Sequence, residues 1–161
     1  MRQLTRDHLK GKKPLQRTIV IPADEADAEI ISDAENEYQR DLLLEKDPEE
    51  SKARLLAVRN EVADRGSVFV FRGVGRRRFE ELVRENPPTK AQKEDDDDAA
   101  WDPAAFWPAL CSESCANTDL TPDEWTALIF DSSDWGAGEI KTLRDSALSV
   151  NTGTRVAELG N

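Results

Sequence analysis

The sequence predicts a mainly helical α+β fold: a helical hairpin with a small two-stranded antiparallel sheet, followed by a short C-terminal three-helix bundle. Three observations predict it. Two acidic segments between residues 23 and 65 repeat apolar side chains at three- and four-residue steps. Short runs of β-branched or aromatic residues, at 18–21 and 68–71, flank that pair. Three helix-start signatures then follow one another beyond residue 101.

Residues 1–16 are polar and basic and hold Gly11 and Pro14, so a mobile tail is expected there. A module at 17–88 follows. RTIVIP, at 17–22, reads as a strand closed by proline. From 23 to 46 the residues Ile30, Ile31, Ala34, Tyr38 and Leu42 mark one helical face, until Asp47-Pro48 breaks it. A second helix fits 49–65, with Leu55, Val58 and Val62 as its stripe and Gly66 at its end. Such a hairpin brings the flanking strands together, so residues 19–21 are expected to pair with 68–71. RRRFEELVRENPP carries Phe79, Leu82 and Val83 on one face and stops at Pro87-Pro88, a short helix.

TKAQKEDDDDAA, at 89–100, offers no large apolar side chain to offset the entropy of ordering. It reads as an acidic linker extended by self-repulsion. The C-terminal helical module spans 101–161. Asp102-Pro103 is a cap followed by proline at the first helical position, with Phe106, Leu110 and two cysteines on the apolar side. Pro108 is expected to kink or delay that helix. Thr121-Pro122-Asp123-Glu124 is a capping box ahead of Trp125, Leu128 and Ile129. Gly136 and Glu139 begin the last helix, Trp135 and Ile140 clasp its start, and Leu143, Ala147 and Val150 continue its face to Asn151 and Gly153.

The chain has 161 residues and a net charge of −11, distributed in blocks. Residues 1–22 carry +5, 23–66 carry −8, 67–93 carry +4 and 94–161 carry −12. This argues against nucleic acid as a partner, because gripping phosphates needs clustered lysine and arginine. No apolar run reaches the ~20 residues that span a bilayer, and the N-terminus lacks a hydrophobic signal, so a membrane is not expected and the cytoplasm is. Cys111 and Cys115, one helical turn apart, read as reduced thiols near a buried face. The single histidine, His8, lies too far away to complete a metal site or a nucleophile with them.

No catalytic, cofactor-binding or metal residues are expected. The DDDD run lacks the alternating ligands, glycine and closing glutamate of a calcium loop. GVGRRR lacks the third glycine and the Gly-Lys-Ser/Thr ending of a phosphate loop, and its arginines are expected to cover an acidic face of the same protein. What remains is aromatic. All four tryptophans lie from Trp101 onward, where a small bundle needs large side chains to bury enough area. Trp101, Phe106, Trp107 and Trp125 are the candidate partner-binding residues, with core packing as their alternative role.

The order of parts resembles a known family. A β-branched strand, an acidic helical hairpin and then VFRGVGRRRFEELVRENPPT resemble the tail assembly chaperones of long-tailed, siphovirus-like bacteriophages and related prophages. WDPAAFWPALC, LTPDEWTALI and SDWGAGEIKTLRDSALSVNTGTRV are similar to that family's C-terminal helices, which end in an Ala-Leu-X-Val-Asn stretch. The long acidic linker departs from the pattern. The resemblance implies a protein that is not an enzyme and needs no cofactor. Its implied partners are the tape measure protein, kept soluble in the host cell cytoplasm, and the tail tube protein, recruited around it. Absence from the mature virion is implied as well.

These chaperones are often made in two forms by a ribosomal slip. Leu159-Gly160-Asn161 is encodable as CTG-GGA-AAC, which contains the heptamer G-GGA-AAC, so the chain is expected to be the shorter product of a programmed frameshift. Two alternatives stay open: a structural component of the phage tail or connector, and an acidic protein-interaction module. Self-association is compatible with each of the three.

Overall fold

The computed structural model describes residues 10–153. Among them the protein is mostly helical, at 62%, with seven α-helices and a two-stranded antiparallel sheet. Two compact units divide the chain: Thr18–Phe69, and Met1–Arg17 together with Val70–Asn161.

Strands β1 (Gln16–Ile21) and β2 (Ser67–Arg72) pair, and the boundary between the units falls within each of them. Phe69 and Phe71, alternate residues of β2, are buried while Ser67 and Arg72 are exposed. That alternation is what a half-buried ladder requires. Leu15 is half-buried and its carbonyl accepts the Gly73 N–H at 2.9 Å. Backbone pairing therefore extends into the segment expected as a tail; residues 1–9 of that segment lie outside the described residues.

In the unit Thr18–Phe69, helix α1 (Glu25–Leu43) and helix α2 (Glu49–Ala63) pack on each other. Asp24 caps α1, its carboxylate accepting the Asp27 N–H at 2.9 Å. Glu45, with φ of 53°, turns the chain out of α1 through the left-handed region. The buried apolar residues are few: Ile21, Ala34, Leu55, Val62 and Phe69. Salt bridges Arg54–Glu37 and Arg59–Glu35, both 2.7 Å, join the exposed sides of the two helices. At that exposure they fix register more than they add stability. Gly66 is needed at the approach to β1, because a Cβ there would stand 2.4 Å from the Ile21 carbonyl oxygen.

The other unit contains α3 (Arg76–Glu85), α4 (Lys90–Asp95), α5 (Pro103–Ser114), α6 (Pro122–Thr126) with a π turn at Ala127–Asp131, and α7 (Ala137–Thr152). Helix α5 packs against α3, α6 and α7. Leu82, Phe106, Leu110, Trp125, Leu143 and Ala147 are enclosed in its core. The expected capping box is present: Glu124 N donates to Thr121 Oγ1 at 3.3 Å, and Thr121 N donates to Glu124 Oε2 at 2.8 Å. Gly136 N likewise donates to Glu139 Oε2 at 2.7 Å. Helix α5 runs through the buried Pro108 to Ser114, so the proline does not end it.

Two features depart from expectation. The stretch 89–100 is not extended throughout, since α4 forms within it. Thr89 and Gln92 make a reciprocal capping box at 3.2 and 2.8 Å, and the Gln92 amide donates to Asp102 Oδ1 at 2.9 Å. Capping and good helix formers thus replace the missing apolar face. The other departure is the π turn, which widens the helix directly after Trp125.

Candidate functional site

The start of α5 gathers a cluster of aromatic side chains. Asp102 fixes the geometry: its N–H donates to the Asn86 carbonyl at 3.0 Å, and its Oδ1 accepts the Ala104 N–H at 3.2 Å. Trp101 is thereby held against the first turn. Its ring stacks on Phe106 at 4.2 Å between centroids and meets Trp107 edge-on at 5.8 Å. Phe106 in turn meets Trp107 at 5.4 Å and Phe79 of α3 at 6.1 Å, both edge to face. The Arg144 guanidinium of α7 lies 5.4 Å from the centre of the Trp107 ring, within cation–π range.

The four sequence candidates separate by burial. Phe106 and Trp125 are fully enclosed, so they pack the core and offer no surface to a partner. Trp101 and Trp107 are half-buried, packed against Phe106 and against each other. A tryptophan already immobilised by its neighbours loses little entropy on binding, which suits an anchor. Arg144 Nε is buried without a hydrogen-bond partner among the described residues, and the Trp107 ring is the guanidinium's neighbour.

Chemistry beyond recognition finds little to stand on among the described residues. No three of His, Cys, Asp or Glu are grouped to hold a metal ion, and no helix is long and apolar enough to cross a membrane. Cys111 and Cys115 are buried and free. Burial pushes the Cys111 thiol up to about 12, with the Cys115 thiol adding to the shift and Arg144 opposing it, so Cys111 is neutral and a poor nucleophile near pH 7. Arg76, Arg77 and Arg78 cover acidic side chains: Arg76 pairs with Glu80 at 2.7 Å and Arg77 with Glu81 at 3.1 Å. Arg78 reaches Glu85 at 2.9 Å and Glu113 of α5 at 2.5 Å, joining two helices.

Sequence reasoning missed two asparagines. Asn151 accepts the Val74 N–H at 2.9 Å and donates to Ser114 Oγ at 2.9 Å and to the Ala147 carbonyl at 2.8 Å. Asn117 accepts the Val70 N–H at 2.8 Å. Both tie β2 and its following turn to the C-terminal helices. Asn151 closes the Ala-Leu-X-Val-Asn stretch of the sequence, but nothing there showed what it binds, and Asn117 carried no motif. Ile30 and Leu42, expected on the apolar face of the first helix, are instead exposed, by 44% and 43%, because that face has few apolar partners to cover it; exposed Leu43 and Leu44 and a basic groove beside Gly73 carried no periodic signal and were missed. Compared with known protein families, with curated proteins and with solved structures, the chain matches none.

Proposed function

We propose that this protein is a phage tail assembly chaperone, a non-enzymatic protein that binds the tape measure protein and keeps it soluble while tail tube subunits are recruited. The observation that carries the reading is the ordered set of motifs from the first strand to DSALSVN, together with half-buried tryptophans 101 and 107 on one helix start. In this reading α1 and α2 form the family's helical hairpin, and α5 to α7 its short C-terminal bundle. Trp101 and Trp107 supply apolar anchors for the exposed face of a partner helix. The excess of acidic charge keeps the coated partner from associating with itself. Many weak contacts along one long partner add up through avidity. The protein acts in the host cell cytoplasm and is left out of the mature virion.

The test is co-expression with the long helical protein encoded nearby, read by solubility and pull-down. Wild type is expected to retain it in the soluble fraction. Trp101→Ala with Trp107→Ala is expected to fold, by circular dichroism, yet lose at least tenfold in retention. Failure of wild type to bind or solubilise that protein, in this form and in a frameshifted longer one, would overturn the reading.

A further inference from the structure

We propose that the outer edge of β1 is a docking site for an extended segment of a partner protein, which adds to the sheet as a third strand. The inference does not depend on the chaperone reading.

The register of the sheet carries it. The Leu15 carbonyl accepts the Gly73 N–H at 2.9 Å, and one step along, Gln16 Oε1 accepts Arg72 Nη2 at 3.2 Å. Opposed residues of an antiparallel pair alternate between those that bond each other and those whose N–H and C=O point away. Counting from Leu15, the residues Arg17, Ile19 and Ile21 bond to β2, while Gln16, Thr18 and Val20 turn their backbone outward. Strand β2 obeys the same count. Val70, opposite Thr18, points outward: its N–H donates to Asn117 Oδ1 at 2.8 Å and its carbonyl accepts the Ala116 N–H at 2.7 Å. Phe71 and Cys115 form a bridge at the same place. Residues 115–117 therefore close the outer edge of β2.

The outer edge of β1 stays unpaired. Among the described residues β2 is its one strand neighbour, and neither Thr18 nor Val20 makes an outward backbone bond. Proline or charge usually blocks such an edge. Here Pro14 and Pro22 stand outside the strand, and the outward positions Gln16, Thr18 and Val20 carry no charge. Thr18 to Ile21 are β-branched throughout, which holds the backbone extended before anything binds. A row of outward N–H and C=O groups at strand spacing is answered by another extended chain, so the edge itself fixes the class of occupant. Charge sets the direction. Lys12, Arg17 and Arg72 are exposed at the Gln16 end, and Asp24 and Glu25 are exposed beyond the Ile21 end. An antiparallel partner strand therefore begins with a basic residue and finishes with an acidic one.

The test titrates the full-length protein with the acetylated, amidated peptide Lys-Val-Thr-Val-Thr-Glu at low salt, followed at each backbone amide by NMR. Without peptide, the Thr18 and Val20 amides are expected to exchange fast with solvent and those of Ile19 and Ile21 slowly. With peptide, Thr18 and Val20 are expected to become protected. Thr18→Pro removes an outward donor and leaves the ladder to β2 whole, so it is expected to fold and to bind at least tenfold more weakly. The charge-exchanged peptide Glu-Val-Thr-Val-Thr-Lys is expected to bind at least twofold more weakly. The proposal is overturned by no binding up to the solubility limit of the peptide, or by shifts confined to other elements. Equal binding by Thr18→Pro or by the exchanged peptide overturns it too. So does protection of Thr18 and Val20 in the free protein, because another segment or a second copy then already covers the edge. If Thr18→Pro loses helical signal, the peptide is changed instead, N-methylated at both valines or at both threonines. One of these two peptides is expected to lose at least tenfold in binding, and loss in neither overturns the proposal.

Discussion

At the scale of single residues, Asp27 shows how a buried carboxylate sets a pH limit. It is 5% exposed and accepts Arg65 Nη2 at 2.6 Å and Nε at 3.2 Å, a forked pair. The hydrogen bonds from Arg65 hold its carboxyl below the usual range, against an opposing push from burial. A carboxyl lowered in the folded state stabilises it fully above the unfolded value of about 3.9, and that stabilisation is lost as pH falls through the folded value. Wild type is therefore expected to lose helical circular dichroism below about pH 4. Asp27→Asn should be less stable at pH 7 and show a smaller loss through the same window. In the sequence Asp27 is one more acid in a first helical turn. Its partner lies 38 residues away, so the pair was not legible locally. Phe106 and Trp125 were legible as large apolar groups, but only tertiary packing separates them from Trp101 and Trp107.

Among the elements, both strands and most helices were legible, because apolar period, proline breaks and caps agree with one another there. Helix α4 was not, because its sequence lacks the periodic face that normally betrays a helix. The TKAQ box was present but stood before a polar run. Negative charge at a helix C-terminus opposes the dipole, so the aspartates from 95 onward mark where α4 stops. The joint between α2 and β2 carries a sharper prediction. Gly66→Ala forces a Cβ against the Ile21 carbonyl oxygen, and backbone cannot step aside as a side chain can. A loss of about 1–3 kcal/mol is expected, measured by urea unfolding. A change below 0.5 kcal/mol would show that β1 and β2 yield more readily than close packing implies.

On the scale of the whole molecule, apolar burial is uneven. The unit Thr18–Phe69 encloses five apolar residues, Phe69 being the one aromatic among them, while Phe71, Phe106 and Trp125 are enclosed in the other. All four tryptophans belong to that other unit too. Sparse burial lowers local stability. In a urea titration, circular dichroism at 222 nm is expected to fall at lower concentration than tryptophan fluorescence changes. Coincident curves would mean that the chain unfolds as one cooperative body. Charge blocks were legible from the sequence, as was the cover that the arginines of α3 give to acidic side chains, but not which glutamates they meet, within that helix and on α5.

The position of the unit boundary has a further consequence. The chain enters Thr18–Phe69 on β1 and leaves it on β2, two strands bonded to each other. Entry and exit are neighbours, which is the arrangement of an inserted cassette. Such an insert can lengthen, shorten or be exchanged while its two anchoring strands keep their spacing. Variation among relatives of this chain should therefore accumulate as hairpins of different length on an unchanged pair of strands.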